Sequence, residues 1–276
     1  MDALIIILAI LAVLLVALVI AWAYLVAPAR YDRRMDKFKS TKYAHRGLHG
    51  EGACENSLTA FARAVEAGFG IELDIRLSRE GRLVVFHDDT LTRVAGVEKK
   101  VADLTVDELR LVRLGDTDDY VPTFREVLDL VGGRVPLLIE IKMGVGEDAV
   151  AKRFLEEIEG YEGDYIVESF NPSALRTVRE ARPDVMVGFL SMKYSSIEKF
   201  RTQAAYRCLE GLLANFLFRP NFIAYEKGAV DKLSLRLIKK IFSPVMLAWT
   251  VRSPEEEAAS AKLFDSVIFE NYIPEK

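Results

Sequence analysis

The chain has 276 residues, 41 acidic and 37 basic side chains, a formal net charge of −4 and 51% hydrophobic residues. This mildly acidic balance excludes a basic nucleic-acid-binding surface, so no nucleic-acid partner is expected, and Cys54 and Cys208 are too few for a disulfide framework. No internal repeat or low-complexity tract divides the chain, and its length suits a short leader followed by one large α/β domain.

No charged residue occurs between Leu4 and Val26. As a helix this run covers about 34 Å at 1.5 Å per residue, enough to cross a bilayer core of about 30 Å. Residues 1–28 therefore read as a transmembrane anchor that meets the lipid bilayer through residues 4–26. A cleaved secretory signal is the alternative. It fits less well, because Asp2 replaces the usual basic start and the apolar run is long, although Ala27-Pro28-Ala29 resembles a cleavage site. Arg30, Arg33, Arg34, Lys37, Lys39 and Lys42 follow the span, and nothing basic precedes it except the amino terminus. The positive-inside bias then predicts a single-pass membrane protein whose bulk faces the cytoplasm. Residues 29–40 read as a charged juxtamembrane tether, and residues 41–276 as the folded domain.

Eight strands are predicted: Tyr43–Gly47, Gly70–Leu77, Leu137–Lys142, Tyr165–Phe170, Val185–Leu190, Phe222–Tyr225, Val245–Val251 and Ser266–Glu270. Helical patterns separate most of them, such as Leu58, Phe61, Ala62 and Val65, with Asn56 as N-cap and Gly68 as the stop. Alternating strands and helices predict a (β/α)8 TIM-type barrel with a small insertion after a β-hairpin. An open doubly wound sheet is the second choice, weakened by the lack of a glycine-rich fingerprint after the first strand.

One link is too short for a crossover helix. Only Arg79-Glu80-Gly81 separates the second strand from Arg82–His87, which predicts an antiparallel hairpin. A two-residue Glu80-Gly81 turn would set His87 opposite Asp74. Residues of about 89–121 then form the insertion over the barrel mouth.

All three histidines lie between Tyr43 and Asp88. Glu72 and Asp74 are two apart in a strand, so both point inward, at the end where barrel active sites form. Glu140 and Lys142 share the inward side of the next barrel strand. Three convergent carboxylates call for a hard divalent cation, Mg2+ or Ca2+. A salt-bridge cluster with Lys142, Arg46 and Arg76 is the plainer reading. Arg46 and Lys142 are suited to hold a phosphate. His45 and His87 are suited to act as general base and general acid, in either order. His49 and Glu55 are rim candidates.

The motifs His45-Arg46-Gly47, Glu55-Asn56-Ser57, Glu72-Leu73-Asp74, His87-Asp88 and Glu140-Ile141-Lys142 resemble the glycerophosphodiester phosphodiesterase family, with Ser169-Phe170 and Trp249-Thr250-Val251 as later markers. The resemblance implies a barrel enzyme that hydrolyses glycerophosphodiesters to glycerol 3-phosphate and an alcohol with a divalent metal. It implies Glu72, Asp74 and Glu140 as metal ligands, His45 and His87 as the acid–base pair, and Arg46 and Lys142 on the phosphate. Phe170 and Trp249 are expected to wall the glycerol or alcohol group. Cys54, Arg252 and Phe269-Glu270-Asn271 depart from the pattern, and the later ones are expected on the far side of the pocket.

Two other functions remain in view. Ala204–Phe222 is apolar, either as a buried barrel helix or as a lipid-touching lip that admits lysophospholipids, which would make the enzyme a lysophospholipase D. A catalytically silent, membrane-tethered barrel that binds anionic headgroups is the alternative of another class. The sequence does not determine the oligomeric state.

Overall fold

A computed structural model describes residues 2–143 and 148–275. The strands are β1 (Tyr43–Ala44), β2 (Gly70–Leu77), β3 (Leu83–Val85), β4 (Leu137–Ile141), β5 (Tyr165–Ser169), β6 (Val187–Ser191), β7 (Phe222–Glu226), β8 (Val245–Val251) and β9 (Ser266–Phe269). Each barrel strand pairs in parallel with its neighbours from β2 through β4 to β9, and β1 bonds to both β2 and β9. The ring is therefore closed, which bears out the eight-stranded parallel barrel. β3 lies outside it, antiparallel to β2.

Strand alternation explains the two cores. Ile71, Leu73 and Ile75 of β2 and Leu137, Ile139 and Ile141 of β4 face outward into the helix layer. Leu138, Ile166, Leu190, Phe222, Ala224, Val245, Leu247 and Ile268 face inward and fill the barrel. The inward positions Glu72, Asp74, Glu140 and Glu168 interrupt this apolar filling near the carboxyl ends of β2, β4 and β5. Gly188 belongs to the same ring. A Cβ there would come within 2.1 Å of the Phe222 ring, so glycine makes room for a phenylalanine.

The long apolar helix α1 (Asp2–Val26) is followed by the short helix α2 (Met35–Lys39). The segment expected to be a tether is partly built into the fold. Met35 and Phe38 are buried and join the interior cluster, closing the amino-terminal end of the barrel, while Lys37 pairs with Asp164 and Lys39 with Asp265. Their two apolar side chains are hidden in the sequence among charges. Phe38→Ala should destabilise the domain by about 3 kcal/mol. A loss under about 1 kcal/mol in chemical denaturation would show that α2 is not part of the core.

The hairpin differs by one residue from the expectation. Ile75 pairs with Val85, Arg76 with Val84 and Leu77 with Leu83, so Phe86, not His87, donates its N–H to Asp74. The loop is Arg79-Glu80-Gly81, with Gly81 at φ +75°, a three-residue turn that needs glycine at its last position. Residues 89–121 cover β3 with a small core of their own, including Leu91, Val101, Leu104, Leu109, Leu114 and Val121.

Helix α3 (Leu58–Ala67) starts one residue later than expected. Ser57, not Asn56, accepts the Ala60 N–H as N-cap, and Gly68 ends the helix at φ 70°. Asn56 sits at φ 57° and spends its side chain on the site instead.

Candidate active site

His45 and Arg46 leave the carboxyl end of β1, whose neighbours are β2 and β9. Arg46 takes a left-handed conformation (φ 57°), which turns its N–H onto Glu72 Oε2 at 2.9 Å. Gly47 follows at φ 82°, and a Cβ on it would strike the Ala60 backbone at 2.8 Å. The tight turn therefore requires glycine.

The carboxylates converge as the sequence predicts. One oxygen each from Glu72, Asp74 and Glu140 lie within 4.8 Å of one another. Asp74 Oδ2 accepts a 2.7 Å bond from Asn56 Nδ2. Lys142 Nζ stands 2.8 Å from Asp74 Oδ1 and 2.7 Å from Glu140 Oε1. The first contact is an ion pair without hydrogen-bond alignment, so Oδ1 makes no hydrogen bond among the described residues. Glu168 was not foreseen. It is opposite Glu140 in register, 1% exposed, and its Oε2 has no hydrogen-bond partner among the described residues.

Electrostatics follow from burial. Desolvation and the Asp74 charge push Glu72 well above the usual carboxylate range. Burial likewise raises Glu140 to about 7, against the pull of Lys142. Burial and Glu140 push Glu168 well up. Burial opposes ionisation of Asp74 too, but Lys142 and Arg46 hold it far below the usual range. Four buried acids thus face two cations, Arg46 and Lys142, an excess of two negative charges if all ionise. An all-oxygen donor set with that excess fits a hard divalent cation.

Each of His45 and His87 is held the same way. His45 Nδ1 lies 2.5 Å from Glu270 Oε2, and Arg252 Nε donates to Glu270 Oε1 at 2.6 Å. His87 Nδ1 lies 2.6 Å from Asp88 Oδ1, and Arg93 Nε donates to Asp88 Oδ2 at 2.6 Å. A carboxylate only accepts, so each Nδ1 carries a proton and each Nε2 is left to take up or hand over another. Arg76 fixes the second histidine from behind, donating through Nε and Nη2 to the His87 carbonyl at 2.9 and 2.7 Å. It is not part of the acidic cluster, as the plainer reading had it. Burial lowers the pKa of both imidazoles, despite the upward pull of Glu270 on His45 and of Asp74 on His87. Burial would raise Glu270, but its bonds to His45 and Arg252 bring it down to about 2.

This corrects the placement of the unusual residues. Arg252 and Glu270 do not line the far side of the pocket. Closure of the ring sets β9 beside β1, so Glu270 reaches His45. His49 lies on the same side, its Nε2 3.9 Å from Glu270 Oε2. Glu55 bridges Arg46 and Arg93, accepting at 2.7 Å from the first and at 2.8 and 2.6 Å from the second. Phe170 and Trp249 meet edge to face at 5.6 Å on top of the barrel interior. Trp249 Nε1 is buried with no partner among the described residues.

Comparisons with known proteins agree with this geometry. Residues 45–269 match the model of the glycerophosphoryl diester phosphodiesterase family. A glycerophosphodiester phosphodiesterase of Caldanaerobacter subterraneus subsp. tengcongensis is 36% identical over 163 residues, which are 55% of this chain and 67% of that relative. A human lysophospholipase D is 29% identical over 49% of this chain, covering 46% of its own length. A glycerophosphodiester phosphodiesterase structure from Thermotoga maritima is 31% identical, with a TM-score of 0.62 over 83% of this chain and 94% of that one. An Oleispira antarctica phosphodiesterase, solved in complex with the product sn-glycerol-3-phosphate, shares the fold with a TM-score of 0.67 at 22% identity, over 84% of this chain and 93% of its own.

Proposed function

We propose that this chain, which belongs to the glycerophosphoryl diester phosphodiesterase family, hydrolyses glycerophosphodiesters to glycerol 3-phosphate and an alcohol. The observation that carries this reading is the pair of arginine–carboxylate–histidine relays beside one acidic cluster, His45 near Glu72 and His87 within the field of Asp74.

Glu72, Asp74 and Glu140 would hold a divalent cation, Mg2+ or Ca2+, which supplies charge withdrawal from the phosphate oxygens. Lys142 stands among these acids and is placed to turn a positive charge toward a bound phosphate. Arg46 Nε is buried, makes no hydrogen bond among the described residues and lies 3.5 Å from Asp74 Oδ2, so the guanidinium brings its charge to the same site. One histidine takes the proton of the attacking hydroxyl through Nε2, either from water or from the substrate's own glycerol, in which case water then opens the cyclic phosphate to glycerol 3-phosphate. As the new oxygen–phosphorus bond forms, the bond to the alcohol breaks, and the other histidine, which enters the step with a proton on Nε2 as well, gives that proton to the leaving oxygen. Glu270 and Asp88 hold the rings in orientation. Phe170 and Trp249 wall the organic part of the diester, with the Trp249 N–H as a spare donor.

The test is glycerol 3-phosphate release from a panel of glycerophosphodiesters by the full chain, with Mg2+, Ca2+ or chelator. Metal-dependent release supports the reading. A folded, metal-binding protein that releases no product would leave the silent headgroup-binding barrel instead.

Glu270→Gln gives a sharper check. Glu270 raises the His45 pKa, so removing its charge should lower that pKa further. The limb of kcat/KM that His45 controls, the acidic one if it is the base and the basic one if it is the acid, should move to lower pH, while kcat falls about 10- to 100-fold as the ring loses its anchor. An unshifted limb would mean that Glu270 does not act on the working histidine.

The same reading makes α1 a membrane anchor with the barrel in the cytoplasm. Its residues Ala3–Val26 are long and apolar enough to cross a bilayer. Cys208 is an exposed free thiol. A membrane-impermeant maleimide added to intact cells should leave it unlabelled until the membrane is opened, and immediate labelling would reverse the orientation.

A further inference from the structure

The apolar stretch Ala204–Phe222 is not one barrel helix. It forms the helix Ala204–Glu210 and the 3-10 turn Leu213–Leu217, and that turn receives the end of α1. Residues 3–21 of α1 are exposed, while Trp22, Ala23 and Leu25 are partly buried and Val26 is fully buried in the outer core.

A helix end leaves its last carbonyls without partners, and α1 has no basic residue in its final turn to offset their charge. The barrel supplies both. Asn215 Nδ2, on a fully buried side chain, donates to the Val26 carbonyl at 2.8 Å. Arg219 Nη1 donates to the carbonyls of Tyr24 at 2.8 Å and Ala27 at 3.0 Å, and its guanidinium lies 4.6 Å over the Tyr24 ring. Ala29 N–H then bonds to the Pro220 carbonyl at 2.8 Å. The socket lies between Leu212 and Arg219, both in the left-handed region at φ 59° and 47°. Such a backbone persists only where its surroundings fix it. A freely swinging anchor would require none of these contacts.

Beside this joint two large apolar side chains are exposed, Phe216 at 38% and Leu217 at 43%. The Phe216 ring is 6.3 Å from Tyr24, so they continue the apolar surface of α1 at the level of its Trp22 and Tyr24. Aromatic residues at the end of an apolar span belong at the boundary between lipid and water. We propose that Phe216 and Leu217 form a lipid-facing collar around the end of α1, so that the barrel rests on the bilayer in one fixed pose. This rests on the reading of α1 as a membrane span, and its occupant is the phospholipid bilayer.

The test uses the full chain in phosphatidylcholine–phosphatidylglycerol vesicles, with Cys54 and Cys208 replaced by serine. Single cysteines from Leu217→Cys, Leu111→Cys and Leu14→Cys carry a spin label, and glycerol 3-phosphate release confirms that each variant is folded. Leu111 is 84% exposed on the insertion and reports water. Leu14 reports lipid. At position 217, accessibility to oxygen relative to a water-soluble nickel chelate should be several-fold higher than at 111 and approach that at 14. Equal values at 217 and 111, with 14 in lipid, would overturn the collar and leave the anchor standing. A water-like signal at 14, or release of the chain by alkaline washing, would overturn both.

Discussion

His45→Ala is expected to lower kcat by about 10² to 10⁴, the usual contribution of a positioned general acid or base. This is about 3 to 5 kcal/mol of transition-state stabilisation at 1.36 kcal/mol per tenfold. The loss should fall on turnover and spare folding. The β1–β9 bond from the His45 N–H to the Phe269 carbonyl, 2.9 Å, does not involve the side chain. Metal affinity should also change little, because His45 Nε2 is 4.0 Å from the nearest acidic oxygen, on Glu72. His87→Ala should behave alike, its backbone still pinned by Arg76. The measurement is kcat at saturating substrate and metal, beside a metal titration. Turnover within about threefold of wild type for either variant would remove that histidine from proton transfer.

Glu140→Gln is expected to abolish the metal response. In the wild-type chain, a divalent cation at 100 times its Kd should add about 2.7 kcal/mol of stability. For a domain of this size each kcal/mol is about 2–4 °C in Tm. The variant should show no such rise and little turnover. Its pH dependence is also informative. Glu140 is raised to about 7 by burial, so the metal-free folded state holds a proton that the unfolded state has released above about 4.5. Stability of the metal-free protein should therefore fall as pH rises from about 4.5 to 7, and glutamine should flatten that fall. Calorimetry with and without metal checks both statements. A Tm rise in Glu140→Gln equal to that of wild type would place the cation elsewhere.

The chemistry was more legible in the sequence than its support. Glu72 and Asp74 point inward because strand side chains alternate, and this follows from two positions in one apolar run. His45 and His87 were conspicuous because the chain holds so few histidines. Glu270 was not, because its value lies in a contact 225 residues away that exists only when the ring closes. Glu168 was missed as a single acid in Ile-Val-Glu-Ser, without the paired spacing of Glu72 and Asp74. Met35 and Phe38 were masked by neighbouring lysines and arginines, which draw attention to charge. The hairpin register depended on a glycine conformation that sequence spacing alone does not determine.

The last strand also imposes a timing on synthesis. His45 leaves the ribosome early and Glu270 near the end, and at about 5–20 residues per second the interval is about 10 to 45 s. Throughout that interval the nascent chain carries its histidine without the partner that orients it. α1 precedes the entire barrel, so the proposed anchor is made before the chain has its complete site. A translation product that stopped before β9 would keep α1 and the acidic cluster but lack Glu270, so on the proposed reading activity reports chains synthesised at least through Glu270.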